Sequence, residues 1–573
     1  MSPEIEPKAK YVNKFIGLEY IKQFEKKDVK TAIHRAISLL FILLVLSGFY
    51  LAFVNTSNEL PSSFSELPVF YKGRYCPLET MAREWLFQKY KRQSFLDKHR
   101  AHGKLSTNSA VEFFWKIHMT GYEPWTHFPL FYIEDLSLKQ TLKLDLEKSH
   151  FSFLELKKYF QSQTFYRTLE SLDQLSMKSF LNLHSEIRGF EAFEPLRLHD
   201  FLPTSLLKLI PYYEEGFNPS SQYKQFGSDQ DLRLLGNWIS SVWKSYHSNA
   251  SHSKDISYPT RGQLKAEIFY NRLPLKWGAL LSFATAAFIS LLICFSKTRK
   301  NFTRLVTLSS VLGFIFLTQL IILRCYILHR PPVTNLYETF LYVPWVISFF
   351  SLFFYKRVKD SLVWALILAG NALLFSAPLF LGLSDELTLL PPILNTPFWL
   401  STHVPIICAS YGAFLIAAIL GHFYLFKTLH IQDDQEQSQS IPTFLLSLIL
   451  VGTVLLIAGT LLGGVWAMQS WGRFWGWDPK ECWAFISVFF YLVLIHGHYL
   501  RRISPTNLAL GASLGFIGIT FNWYGVNYIL GKGLHSYGFA KGGSFFYILA
   551  ISCDLLLLLA LFVFKKRFKL REL

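Results

Sequence analysis

Charge is scarce in this chain: Asp, Glu, Lys and Arg make up 17% of its 573 residues, against 51% hydrophobic. Soluble domains carry about 25% charged residues, so a soluble protein of this size is excluded. Cysteine is rarer still. The six (Cys76, Cys294, Cys325, Cys408, Cys482 and Cys553) form no C-x-x-C pair, and four fall in apolar runs, so neither a disulfide framework nor a zinc site is indicated. A small-residue cleavage site is also missing after the first apolar run. That run begins near Ala32, behind Lys8, Lys10, Lys14, Lys26, Lys27 and Lys30, and reads as a retained anchor rather than a signal peptide.

What the chain has instead is apolar runs near the roughly 20 residues that cross a ~30 Å hydrocarbon core as helix. About ten candidate spans lie near 32–54, 275–295, 305–328, 336–355, 361–382, 403–426, 442–465, 481–500, 508–530 and 545–564. The expected fold is therefore an all-α polytopic membrane protein. A basic N-terminus (1–31) and first span (32–54) precede a polar stretch, 55–272, which holds no further span. Its leucines and aromatics recur at mixed three- and four-residue steps, as in LKQTLKLDLEKSHFSFLELKKYF, which suggests a mostly helical soluble domain. A transmembrane bundle (273–565) and a basic tail (566–573) complete the chain.

The formal net charge of +17 raises nucleic acid as a partner, but its placement points to the lipid bilayer. Lys297, Arg299, Lys300 and Arg304 share one short loop, Lys356, Arg357 and Lys359 another, and Arg501 and Arg502 a third. The tail adds Lys565, Lys566, Arg567, Lys569 and Arg571. All fall on the side of the basic N-terminus, which the positive-inside rule assigns to the cytoplasm. The soluble domain and the loop 466–481 are then extracytoplasmic.

That loop opens the stretch VWAMQSWGRFWGWDPKECWAF, with Trp466, Trp471, Trp475, Trp477 and Trp483 inside eighteen positions. Interfacial aromatic belts are common in membrane proteins, but a belt is spread over many helix ends. Here the tryptophans alternate with Gly472 and Gly476 and end in Asp478, Pro479 and Glu481. Glycines let a backbone approach a flat ligand, and indole faces give it an apolar platform. Two histidines fall at the same level: His403 opens a span, and His535 lies in the outer loop GKGLHSYG. His496 follows Glu481 by fifteen residues on one predicted helix, roughly 22 Å deeper at ~1.5 Å per residue. An ionisable residue inside a span is a functional candidate by default. Glu338, just inside the outer boundary, needs a partner for the same reason and is expected to be structural or pocket-lining.

The order W-G-x-x-W-x-W-D-P-K-E resembles the "WWD" motif of haem-handling proteins. WGRFWGWDPKECWAFISVFFYLVLIH is similar to the CcsA/ResC branch, the core of the System II cytochrome c synthase, as are RPPVTNLYETF, FWLSTHVPIICASYG and GVNYILGKGLHSYG. The likeness covers about residues 300–565. A weaker one, LPVFYKGRYCPLETMAREWL, resembles a segment of fused CcsB–CcsA proteins, with Cys76 where a basic residue is expected.

The resemblance implies a cytochrome c synthase (haem lyase) whose cargo is haem b. Haem would enter from the cytoplasm past His496, with His34 in the first span as its partner. The competing reading of His34 is a cap on the basic flank. Haem would then reach His403 and His535, held by Trp471, Gly472, Trp475, Trp477, Asp478 and Glu481, with Arg473, Lys532 and Lys541 as cations for its propionates. The expected partners are apocytochrome c carrying C-x-x-C-H, a CcsB-like subunit and thiol-reducing proteins, at the bacterial cytoplasmic membrane. A haem exporter serving a separate ligase and a quinol-linked b-type cytochrome fit the same residues.

Overall fold

The computed structural model describes residues 65–90, 95–97, 106–108, 110, 111, 114, 126–160, 162–191, 259–295, 299–354, 361–381, 383, 385–387, 396–430, 435–531 and 544–571. Two compact units separate, Leu51–Leu273 and the remainder of the chain.

In the polar unit, β1 (Pro68–Tyr71) and β2 (Arg74–Pro77) form an antiparallel hairpin in register Tyr71↔Arg74. Its two-residue turn is Lys72-Gly73, both with positive φ (49° and 83°), the left-handed backbone conformation that matches such a turn to the right-handed twist of its strands. The helix α1 (Leu78–Tyr90) follows, then the short hairpin of β3 (Phe95–Asp97) and β4 (Ser106–Asn108). Next come β5 (Pro129–Tyr132), α2 (Leu136–Thr141), β6 (His150–Ser152), which pairs with β5, and α3 (Phe153–Lys157). Two longer helices, α4 (Ser162–Glu170) and α5 (Gln174–Glu191), and finally α6 (Arg261–Arg272) complete the unit. The helices match the expectation of a mostly helical domain; the three small two-stranded sheets are a finding of the structure.

Ion pairs tie α6 back to the start of this unit. Arg74 grips buried Glu267 with two bonds of 2.9 and 2.7 Å, Arg272 meets buried Glu79 at 2.5 Å, and Arg261 meets Glu66 at 2.9 Å. Removing one partner of a buried pair strands the other charge, at about 3–5 kcal/mol. Next to them Cys76 is buried among apolar residues, and burial pushes its thiol up, away from the reactive thiolate.

The second unit is a helical bundle: α7 (Leu275–Phe295), α8 (Arg299–Leu328), α9 (Leu336–Phe354), α10 (Ser361–Phe380), α11 (Pro397–His430), α12 (Gln435–Trp471), α13 (Pro479–Tyr499), α14 (Pro505–Thr520) and α15 (Ser544–Arg571). Eight of these, all but α14, are long and apolar enough to cross a membrane. The expected span at 508–530 takes another form. It begins as α14 and continues without a break into a π-helix, Phe521–Leu530. The expected first span, 32–54, lies outside the described residues. The chain is thus an all-α polytopic membrane protein.

The core joins α9 to α15 through Phe340, Trp364, Phe414, Leu456, Tyr491, Ala512 and Leu558. Close approach of α11 and α12 depends on glycines. A Cβ at Gly452 would stand 2.8 Å from Phe414, and one at Gly459 would stand 2.6 Å from Ile407. In lipid, where apolar burial does not drive helices together, such small-residue seams hold them. This seam sets the position of His403.

Candidate functional site

Glu481 organises the tryptophan loop. α12 ends at Trp471, and Gly472, with φ +72°, turns the chain out of the helix. Six residues later Asp478 caps α13 with its side chain on Lys480 N at 3.0 Å, and Pro479 takes the first helical position. Glu481 reaches back as the other half of the capping box. One oxygen accepts from Gly476 N (2.8 Å) and Asp478 N (3.1 Å), and the other meets Arg473 Nη1 at 3.2 Å. Arg473 in turn lies over the Trp471 ring. The carboxylate therefore satisfies the loop's own backbone, and Arg473 neutralises it. Both are among the residues expected at the haem, and their described contacts hold the loop itself in shape.

The indoles are left at the rim. Trp475 packs edge-on against Trp477 and Phe485. Trp477 is 69% exposed and has φ +55°, a left-handed backbone that costs a bulky residue on the order of 1–3 kcal/mol. An apolar ring pushed outward on a strained backbone is a feature that folding alone does not select.

His403 stands beside this loop. Its Nδ1 lies 2.7 Å from the carbonyl of Gly459, which can only accept, so Nδ1 carries the proton and Nε2 the lone pair. Ligand histidines use this arrangement, in which a backbone carbonyl fixes the tautomer and the second nitrogen coordinates. The ring is also wedged: a Cβ on Gly463 would stand 2.6 Å from Cε1, and Trp466 packs edge-on at 5.7 Å. The Trp466 indole nitrogen is buried without a hydrogen-bond partner among the described residues. These residues fit an iron porphyrin on His403. His535, Lys532, Lys541 and His34 lie outside the described residues.

His496 differs. Among the described residues its Nδ1 bonds only to Leu492 O of its own helix, at 2.8 Å, and its side chain is exposed on the face of α13 that bears Phe485, Phe489 and Val493. His498 bonds Ile503 O, and His184 stacks on Phe160 and lies tilted against Phe165.

Two constellations were not foreseen. Glu338, fully buried, is held by Arg324 (2.9 Å) and Arg330 (3.0 Å), and Arg324 also reaches the carbonyl of Asp385. The expected need for a partner is met, but by an arginine inside the apolar run IILRCYIL. Near it, Trp523 of the π-helix donates to Thr339 Oγ1 at 2.9 Å, while its carbonyl accepts from Lys480 Nζ at 3.2 Å. The loop's own Lys480 thus grips the segment that leads toward His535. The second constellation is His422 with Asp554, inside two spans. An acidic residue in the run ISCDLLLLL was the available signal.

Comparison with known proteins follows the same residues. The profile of the family described as "Cytochrome C assembly protein" matches 333–535. Protein NrfI of Wolinella succinogenes is 28% identical over 86% of this chain, which spans 56% of NrfI. "Cytochrome c biogenesis protein CcsA" of Prochlorococcus marinus (strain MIT 9515) is 32% identical over 44% of this chain and 89% of that protein. CcsA of Trieres chinensis is 30% identical over 46% of this chain and 95% of its own length. The solved structure of "Cytochrome c Heme Lyase CcmF" aligns with a TM-score of 0.38 at 13% identity, over 54% of this chain and 53% of that one, a likeness too slight to argue from. With that identity over nearly the whole of CcsA, and the NrfI likeness running through the polar unit as well, the chain belongs to the CcsA-type cytochrome c biogenesis family.

Proposed function

We propose that the protein carries haem b outward across the bacterial cytoplasmic membrane and attaches it to apocytochrome c. His403 and His535 ligate the iron from opposite faces on the extracytoplasmic side, with the tryptophan loop against the ring. The observation that carries this reading is the His403–Gly459 hydrogen bond, which holds the imidazole in the tautomer that ligates iron. The exposed Trp477 and half-buried Trp475 supply an apolar surface, and Trp466 N–H a buried donor for a polar group of the cargo.

Attachment adds each cysteine thiol of a C-x-x-C-H segment across a haem vinyl group. No acid–base pair in this chain is needed for that step: holding the vinyl edge in place and excluding water supply the acceleration. His496, with His34 as its partner, receives haem at the cytoplasmic end. The basic loops on that side set the orientation. A CcsB-like function resides in 55–272, and thiol-reducing proteins keep the substrate cysteines reduced.

Production with an apocytochrome in cells lacking other maturation genes tests the reading. Wild type should yield covalent cytochrome c. His403→Gly should yield almost none, and millimolar imidazole should restore part of it. His184→Gly should mature cytochrome as wild type does. If wild type releases haem but forms no thioether, the protein is an exporter. Equal loss in both variants would refute the ligand assignment.

A further inference from the structure

The glycine seam between α11 and α12 reaches His403 and stops. Gly463 is the last glycine of α12 to meet α11, because the missing Cβ of Gly464 leaves room instead for Phe474 of the tryptophan loop. Beyond it α12 turns Trp466 and Gln469 toward the tip of α11, residues 397–404. That tip is joined to the rest of its helix by a ladder with a missing rung. Pro405 lies inside α11 two residues after His403; it cannot donate to the carbonyl four residues earlier, and its ring crowds that carbonyl. Neither small-residue packing nor an unbroken helix fixes the tip, so side-chain contacts must.

Trp399 makes one. It precedes His403 by four residues, on the same face of α11, and is buried. Its Nε1 donates to Gln469 Oε1 at 2.6 Å. An indole nitrogen only donates, so the amide must turn its oxygen toward it. A tryptophan that served only as an interfacial anchor would leave its N–H to the headgroup layer; this one gives it to α12. Gln469 comes two residues before Trp471, where α12 ends and Gly472 turns the chain into the loop. The bond therefore ties the start of the ligand segment to the start of the tryptophan loop. One turn away, His403 Nδ1 meets Gly459 O at 2.7 Å. A single hydrogen bond lets the tip pivot about it, whereas two a turn apart fix its rotation against α12.

Rotation matters because a ligand set tolerates displacements of only about 0.5 Å. We propose that Trp399 and Gln469 form a clasp that holds the tip of α11 on α12 and so aims His403 Nε2 at the iron. This rests on the haem-site reading given above, and only on its His403 side. Trp399 and Gln469 are positioning residues, not ligands. With the clasp closed, haem meets an imidazole already oriented, and no binding energy goes into ordering it. With the clasp lost, the tip pivots and the bond from His403 to Gly459 is broken part of the time.

The test uses the full-length protein, stripped of haem in detergent and titrated with haem. Wild type should bind it in six-coordinate, low-spin form. Trp399→Phe keeps an aromatic ring but loses the N–H, and Gln469→Leu loses the acceptor at an exposed position of α12. Each should weaken haem binding about tenfold, the reach of one hydrogen bond. Each should also leave part of the haem high-spin and five-coordinate, and added imidazole should return that part to low spin. The double variant should be no worse than either single. Gln469→Glu, whose carboxyl oxygen still accepts, should bind as wild type does. Wild-type affinity and fully low-spin haem in Trp399→Phe overturn the proposal, as do additive losses in the double variant. Weaker binding that stays low-spin overturns it too, since the effect would then lie away from His403. Should Trp399→Phe not fold, Gln469→Leu and Gln469→Glu decide between the same outcomes. If wild type itself binds no haem, the haem-site reading fails instead. The clasp is then judged in the haem-free protein by the nitrogen resonances of isotope-labelled histidine. The His403 signal, identified by its loss in His403→Gly, should be that of the Nδ1–H tautomer in wild type and of two exchanging tautomers in Gln469→Leu. An unchanged single tautomer contradicts the clasp.

Discussion

The two histidines proposed as ligands at opposite ends of the bundle are built differently. His403 is gripped from three sides: Gly459 O bonds its Nδ1, the missing Cβ of Gly463 leaves just enough room, and Trp466 closes the third. His496, among the described residues, bonds only its own helix, and its ring is exposed. A ring locked in one orientation suits a site where cargo must be held in register for chemistry. One held by its own helix on an exposed face suits a site where cargo arrives and leaves. The comparison teaches that the CcsA-type bundle is preorganised at the tryptophan-loop end and permissive at the other.

Substitutions at each end sharpen the contrast. His496→Ala should have the larger effect on haem carried from the cell, lowering co-purifying haem about tenfold or more. Added haem should still bind that protein with a near-normal spectrum, because the tryptophan loop is untouched. Measured haem per protein, before and after addition, decides this; normal loading in cells would end the relay. Gly463→Ala should do the reverse and more mildly. Its new methyl overlaps Cε1, and such overpacking costs about 1–3 kcal/mol. Affinity for added haem should fall about tenfold, the equivalent of 1.4 kcal/mol. Titration of the stripped protein reads this, and unchanged affinity would mean that the wedge around His403 is not used.

The sequence made the spans legible because lipid imposes a length and an apolarity on each, and the tryptophan loop legible because its residue types are crowded beyond what an interface needs. Even the pairing of Glu338 was foreseeable, since a carboxylate at that depth is too costly alone. The partners were not. Gly459 contributes only a carbonyl, and nothing in a glycine announces which histidine will use it. Arg324 hides in an apolar run. His422 and Asp554 are 132 residues apart in the chain, and Arg74 and Glu267 are 193 apart, so only folding brings each pair together. Nor does periodicity reveal where α14 turns into a π-helix, because both present apolar faces at nearly the same step.

The central claim is that this chain holds haem between two histidines at the tryptophan loop. The absorption spectrum of the protein purified in detergent from haem-replete cells tests it most directly. The account predicts a Soret band and, after reduction, sharp α and β bands of low-spin, bis-histidine b-type haem. A colourless protein that stays colourless after haem is added would contradict it.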